Sequence, residues 1–344
     1  MKLRDISSAV VRICATGVIA IWATGANAEL DLRSAAVSHL DNGLTVILLQ
    51  DRNFPVVSVQ SLYRIGARDE TTGQTGLAHF LEHMAFRASE AFPGTGVVSE
   101  IYALGGEWHG YTWIDQTTYF ATVPKEHLDT LLRIEAERLS RLTINVADME
   151  AERGAVLAEM HGYENDPATV LFDAVLFTSF LGHPYRNNTI GWQSDIENLR
   201  HEDVVAFYRQ HYVPANAVIA IAGDFDADAV SQRITELFGE IEERPATPLP
   251  HTIEPLQTGE RRVHLSGPSE TKHFKIAYRA PSASSADFAA FLVLQDWLGG
   301  SSGISFLQND WGTPVRADSL LGGAADELTT WFPPSAQNYV FVIS

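Results

Sequence analysis

Two histidines four residues apart, with a glutamate beside the second, are the residues of this chain best suited to chemistry: His79-Phe80-Leu81-Glu82-His83. The segment that holds them, from Gly76 to Phe86, is rich in helix formers and has no internal Gly or Pro. On a helix, side chains four apart stack on one face, so both imidazoles project together. Two neutral imidazoles at that spacing can hold a zinc ion, and Glu82, at the edge of the same face, can take a proton from a water on the metal. A tetrahedral catalytic zinc takes three protein ligands and keeps one position open. The third donor is sought in a second helical stretch, 145–164, whose heart is Met149-Glu-Ala-Glu-Arg-Gly-Ala-Val-Leu-Ala-Glu-Met160. Its Glu152 and Glu159 lie two turns apart on a shared face; one can ligate while the other supports a ligand from behind.

These helices need a frame, and the surrounding pattern supplies one. Residues 37–40 and 44–50 are apolar runs joined by Asp41-Asn42-Gly43, and an Asn-Gly pair between such runs signals a hairpin. Residues 56–65 alternate as a third strand leading into the loop before the His79 helix. A helix starting at 92–95 ends near Gly105-Gly106. Residues 111–123, rich in Thr and aromatics, read as one or two strands. Apolar side chains at 128, 131, 132, 139 and 142 mark a helix over 127–142. Helical stretches at 168–180 and 200–212 follow, then an apolar strand at 217–222 and a helix from its Asp226 cap to about 238. The mixed order predicts an α+β fold, a largely antiparallel sheet with helices packed on one side.

A first domain over 29–245 is expected to pass through a linker at 246–258, the end of a Pro- and Glu-rich stretch, to a second domain over 259–344. There a strand at 272–279 and a helix at 287–298 repeat the strand–helix order of the first half, with Tyr278-Arg279 standing where Tyr63-Arg64 stood. The second helix, Phe291-Leu-Val-Leu-Gln-Asp-Trp-Leu298, offers no His or Glu to a metal. The chain closes on 338–344, an apolar strand pattern with no turn after it. That pattern predicts an exposed apolar edge and an incomplete second domain, as in a fragment or a truncated product.

Taken together, these features resemble the pitrilysin, insulin-degrading enzyme and mitochondrial processing peptidase family of inverzincin zinc metallopeptidases. The resemblance rests on H-x-x-E-H followed at the family's spacing by Glu152 and Glu159. It also rests on Gly66-Ala-Arg-Asp-Glu70, Gly105-Gly-Glu-Trp-His-Gly-Tyr-Thr112, Gly182-His-Pro-Tyr185, Ile190-Gly-Trp192, and the run from Phe207-Tyr208 through Tyr212-Val-Pro214 to Gly223-Asp224. It implies that His79, His83 and Glu159 hold one Zn2+ per chain, that Glu82 is the general base, and that Glu152 supports the ligands. It implies a zinc-dependent endopeptidase whose substrate, a peptide or unfolded protein segment, lies extended against a strand near 107–112, touching His109, Gly110, Tyr111 and Thr112. It further implies two related halves, one active and one not, that close like a clamshell. The alternative it carries is a non-catalytic peptide-binding or assembly subunit, working with a second-half partner chain or as a homodimer. Inactive relatives lose motif residues, and here all four are present. Two departures stand out: His109 replaces the family's Asn, and near 308–316 the family's Arg and Tyr are matched by Arg316 alone.

Residues 1–28 read as a secretory signal peptide, with basic Lys2, Arg4 and Arg12, an apolar run over 13–23 and an Ala26-Asn27-Ala28 cleavage site. Export to the periplasm follows, with no membrane span after cleavage, because the run is too short for one. The chain's one cysteine, Cys14, falls in this segment, so disulfides and thiol catalysis are not expected in the mature chain. With 43 acidic against 24 basic residues and a net charge of −19, the surface argues against nucleic acid as a partner; it serves solubility first and would favour cationic peptides at long range. Two motifs are decoys. Gly299-Gly-Ser-Ser-Gly303 follows a helix where a nucleophile elbow needs a strand. Asp224-Phe-Asp-Ala-Asp228 lacks the later Gly and Glu of a calcium loop and reads as a helix cap.

Overall fold

Asn42 and Gly43 turn the chain between its first two strands, β1 (Ala36–His39) and β2 (Thr45–Gln50). Gly43 takes a φ of 90°, a region that a side chain would strain. Asn42 Nδ2 donates to the carbonyls of Phe238 at 2.8 Å and Ile241 at 3.0 Å, which ties the turn to a helix nearly two hundred residues away. The computed structural model describes residues 34–267, 271–299, 313–314, 316, 319–322 and 328–344. The signal segment, most of the Gly-Gly-Ser-Ser-Gly run and residues 308–312 lie outside the described residues.

The first sheet has the order β1-β2-β8-β3-β6-β5. Its remaining strands are β3 (Val56–Tyr63), β5 (Glu107–Thr112), β6 (Thr117–Pro124) and β8 (Ala217–Gly223). Only β2 and β8 run parallel; the other pairings are antiparallel. The stretch expected as one or two strands at 111–123 is thus two, β5 and β6, and β5 forms an edge. On β3 the buried residues Val57, Val59, Ser61 and Tyr63 alternate with half-buried ones, as one face of a pleated strand must when helices cover it.

The covering helices are α1 (Leu77–Met84), α2 (Gly96–Ala103), α3 (Leu128–Ser140), α4 (Val146–Glu164), α5 (Pro167–Ser179), α6 (Gln193–Asn198), α7 (His201–His211) and α8 (Ala227–Phe238). Two-residue strands β4 (Ala88–Ser89) and β7 (Leu142–Thr143) pair beside them. Phe80, Leu81 and Met84 of α1 pack with Leu131 and Leu132 of α3 against the buried face of the sheet. Each such side chain contributes roughly 1.5–3 kcal/mol through burial. Within this core Glu135 and Arg138 of α3 pair at 3% exposure each, Ser61 donates to Glu135, and the Arg138 guanidinium lies 4.3 Å from the Tyr119 ring centre.

Two local devices fix the helices that carry the chemistry. Gly76, with φ 81°, starts α1 where a Cβ would strike the Ile190 carbonyl. Buried Glu70 accepts the N–H groups of Gly76 and Ala78, both at 2.8 Å, placing a carboxylate at the helix's positive end. Asn145 caps α4 by accepting the N–H of Asp148 at 2.9 Å.

The second sheet has the order β10-β11-β12-β9: β9 (Ile276–Ala280), β10 (Thr313–Pro314), β11 (Thr329–Trp331) and β12 (Tyr339–Ile343). Helix α9 (Phe288–Gly299) follows β9. One face of this sheet meets the first domain, where Val340 and Val342 pack with Trp113, Ile114, Phe172 and Leu176. The other meets α9, where Phe341 and Phe332 pack with Phe288, Phe291 and Leu292. The fold is therefore α+β with two related domains that share a core, and residues 36–344 form one compact unit.

The expected exposed edge at the chain's end is overturned. β12 lies between β11 and β9, hydrogen-bonded to both, and Tyr339, Val340, Phe341 and Val342 are buried. Its neighbours are encoded upstream, so its apolar pattern marks a central strand. The stretch 242–258 contains no helix or strand but is pinned along its length. The Thr247 N–H donates to Asn216 Oδ1 at 2.8 Å. Glu254 accepts the N–H groups of Leu181, Gly182 and His183 at 2.7, 2.9 and 3.0 Å and pairs with Arg279 at 3.4 Å. Among the described residues no helix is long and apolar enough to cross a membrane.

Candidate metal centre

Helix α1 is short and nearly all of it is buried; among its eight residues only His83 keeps moderate exposure. Burying two histidines and a glutamate on one such helix requires partners from outside it. They come from α4 and β5. Glu159 Oε2 stands 3.5 Å from His79 Nε2 and 3.5 Å from His83 Nε2, and the three donor atoms lie within 4.8 Å of one another. Donors placed tetrahedrally at 2.0–2.1 Å around zinc stand about 3.3 Å apart. The spacing is thus that of ligands around a common ion, and longer than the usual N–H···O hydrogen bond. Of the candidates in 145–164, Glu159 is the one brought to both imidazoles.

Glu152, two turns earlier, sits on the far side of His83, with Oε2 2.9 Å from His83 Nδ1. Its other oxygen pairs with Arg87. An imidazole held in this way presents Nε2 to the site in a fixed orientation. Tyr163, one turn after Glu159, donates to Glu159 Oε1 at 2.8 Å and leaves Oε2 facing the histidines. His79 Nδ1 is buried and meets no hydrogen-bond partner among the described residues.

Charge follows from these contacts. Burial drives the His79 imidazole down to about 4, with the neighbouring His83 adding to the effect, so His79 is neutral and its nitrogen free to ligate. Burial also opposes charge on His83, but its contacts with Glu152 and Glu159 outweigh it and push the ring up to about 9. Glu159 is held down at about 2, chiefly by His83. Glu82 is pushed up to about 7 by burial, against the pull of its Thr112 hydrogen bond, which puts it in the range suited to a proton acceptor near neutral pH. A second group of this kind, two histidines with a carboxylate, does not occur among the described residues.

The four residues expected at the substrate strand divide by face. Thr112 Oγ1 donates to Glu82 Oε2 at 2.7 Å, and Gly110 lies so close to α1 that a Cβ there would stand 2.6 Å from the Phe86 ring. His109 instead stacks on Phe120, ring centres 5.5 Å apart, and Tyr111 alternates with Thr112 to the same side as His109. All four line the cavity above His79, Glu82 and His83, whose far wall includes Asp173 and Asn188. The Thr112 hydroxyl thus meets a site carboxylate. Sequence reasoning did not single out Tyr163 or Arg87. Tyr163 follows Glu159 by four residues on the same helix, and that spacing was a usable signal.

The chain is similar to known proteins along most of its length. Residues 45–192 match the family model described as insulinase, peptidase family M16, and residues 198–309 match the peptidase M16 inactive domain. The zinc protease PqqE of Helicobacter pylori is 30% identical over 278 residues, covering 79% of this chain and 62% of that protein. A probable mitochondrial-processing peptidase subunit beta of Arabidopsis thaliana is 27% identical over 275 residues, covering 79% of this chain and 52% of that one. The chain thus spans between half and two thirds of the length of these relatives. The crystal structure of a protease from Helicobacter pylori superposes with a TM-score of 0.77 at 26% identity, covering 90% of this chain and 74% of that one. With both family models matched in order along most of its length, the chain belongs to peptidase family M16, the insulinase family.

Proposed function

We propose that the protein is a zinc-dependent endopeptidase acting on peptides or unfolded protein segments. The observation that carries this reading is the placement of Glu159 Oε2 at equal distance, 3.5 Å, from the two imidazole Nε2 atoms of His79 and His83, beside a Glu82 carboxyl poised near neutrality. His79, His83 and Glu159 would hold one zinc ion, which when bound supplies a Lewis acid that polarises a carbonyl and acidifies water. Glu82 accepts the proton of the attacking water and returns it to the leaving amine. Glu152 fixes the His83 ring. The edge strand β5 lies open beside the cavity and offers an extended peptide main-chain hydrogen bonds along 107–112.

Replacing Glu82 by Gln tests the reading. The amide fills the same space but cannot accept the proton, so hydrolysis of an unfolded peptide should fall by about 10²- to 10⁴-fold while zinc content stays at one per chain. Near-normal turnover in Glu82→Gln would sink the mechanism.

Two further expectations belong to this proposal. The basic and apolar start with its Ala-Asn-Ala site supports export, so the protein from a periplasmic extract should begin at Glu29. The relatives are longer, and we infer that a partner chain or a second copy completes the closed chamber; the mass of the zinc-loaded protein in solution checks this.

A further inference from the structure

Thr112 closes β5 opposite Thr117 of β6, and the hydrogens of these two hydroxyls can be assigned. Thr117 Oγ1 donates to the Ile65 carbonyl at 3.0 Å, which commits its single hydrogen. Thr112 Oγ1 lies 3.5 Å from Thr117 Oγ1 but 2.7 Å from Glu82 Oε2. The shorter contact, to a group able to carry charge, takes the Thr112 hydrogen. One oxygen of Glu82 is therefore tied to β5.

The other oxygen is kept open by the same strand. Gly110 lies two residues back on the face of β5 that meets α1, and a Cβ there would stand 3.2 Å from Glu82 Oε1. The missing side chain leaves Oε1 accessible at the cavity that Gly110 and Thr112 line. A carboxylate on a flexible side chain, buried with only one oxygen anchored, presents the other in a defined direction.

We propose that Thr112 is a positioning residue for the hydrolytic reaction: its hydroxyl anchors Glu82 Oε2 so that Oε1 is the oxygen offered to the attacking water. This rests on the reading of Glu82 as the base. β5 is also the edge on which an extended peptide would add, so one strand sets both the register of the substrate and the aim of the base. Substrate contact and proton transfer are thereby coupled through a single hydroxyl.

The test compares zinc-loaded Thr112→Val, Thr112→Ser and Glu82→Gln in the full chain. Valine removes the hydroxyl at nearly constant volume, and kcat should fall by about 10- to 100-fold with KM changed by less than about twofold. Serine keeps the hydroxyl and should restore most of the rate. Zinc affinity, measured by competition with a chelator, should match wild type in all three. Wild-type kcat in Thr112→Val overturns the proposal, as does a Thr112→Ser enzyme as slow as the valine variant. A zinc affinity reduced by the same factor as kcat overturns it too, since Thr112 would then act through the metal. Should the valine variant fail to fold, Thr112→Ala makes the same deletion. If Glu82→Gln turns over normally, the base assignment has failed; if it is inactive while Thr112→Val is wild type, only the positioning role has.

Discussion

Two strand–helix units in this chain, β3 to α1 and β9 to α9, share an order of elements and differ in what their helices bury. α1 sinks His79 and Glu82 into the interior together with Leu77, Phe80 and Leu81. α9 buries Gln295 and leaves Val293 and Trp297 exposed, and the Gln295 Oε1 has no hydrogen-bond partner among the described residues. The contrast shows that a reactive helix is made by its neighbours. α1 has Glu70 at its start, Thr112 beside Glu82, and a long helix, α4, that faces it with two carboxylates. Among the described residues α9 packs chiefly against β11 and the apolar face of its sheet. Buried titratable groups persist where other elements supply their charges and hydrogen bonds.

The comparison can be broken most forcefully at the ligands. His79→Ala and Glu159→Ala should each lose stoichiometric zinc and all measurable hydrolysis, because two remaining donors do not hold a catalytic site. Metal analysis of the purified variants checks this, and a variant that retains one zinc per chain would break the assignment. A milder loss is expected behind the ligands. Glu152→Gln should lower zinc affinity or rate by about 10–100-fold, since the amide still reaches His83 but no longer favours its orientation by charge. Wild-type affinity and rate in that variant would make Glu152 an ordinary buried carboxylate.

Proton competition gives the next effect. In the metal-free protein His83 is pushed up to about 9, so at neutral pH it carries a proton that zinc must displace. Apparent zinc affinity should therefore rise about tenfold per pH unit as pH increases toward that value and level off above it. Titration calorimetry should also show close to one proton released per zinc at pH 7; an affinity independent of pH would contradict the charge on His83. The smallest effect belongs to the second unit. Trp297 is 61% exposed, and Trp297→Ala should leave zinc affinity unchanged and alter stability by no more than about 0.5 kcal/mol. A loss of zinc there would mean that the two units are coupled in a way their packing does not show.

Much of this site was legible in the sequence because its logic is local. The four-residue spacing of His79 and His83 and the seven-residue spacing of Glu152 and Glu159 translate directly into helix faces, and both helices formed where expected. The Asn42-Gly43 turn was equally readable. What escaped depends on pairings between distant segments. The last strand looked like an unpaired edge because only the three-residue β11 precedes it closely, while its longer partner β9 lies about sixty residues upstream. The role of Thr112 required knowing which face of β5 meets α1, and a shift of one residue in register would exchange it for Tyr111. Tyr163 was within reach of helical spacing, but a tyrosine on an amphipathic helix is most often packing.

The pinned stretch 242–258 bears on how a chain with the proposed activity would survive itself. Under the proposed function the protein must leave its own extended chain uncut, and 242–258 belongs to the run between Phe238 and Ile276 that holds no helix or strand among the described residues. Ile253 and Leu256 are among its most exposed apolar side chains, an inviting cleavage site by composition. To lie along β5 of another molecule, the segment would first have to strip Glu254 from three backbone N–H groups and from Arg279. Under that proposal the clasp would make autolysis depend on local unfolding, and the connector is held by the same kind of carboxylate-to-backbone contact that starts helix α1.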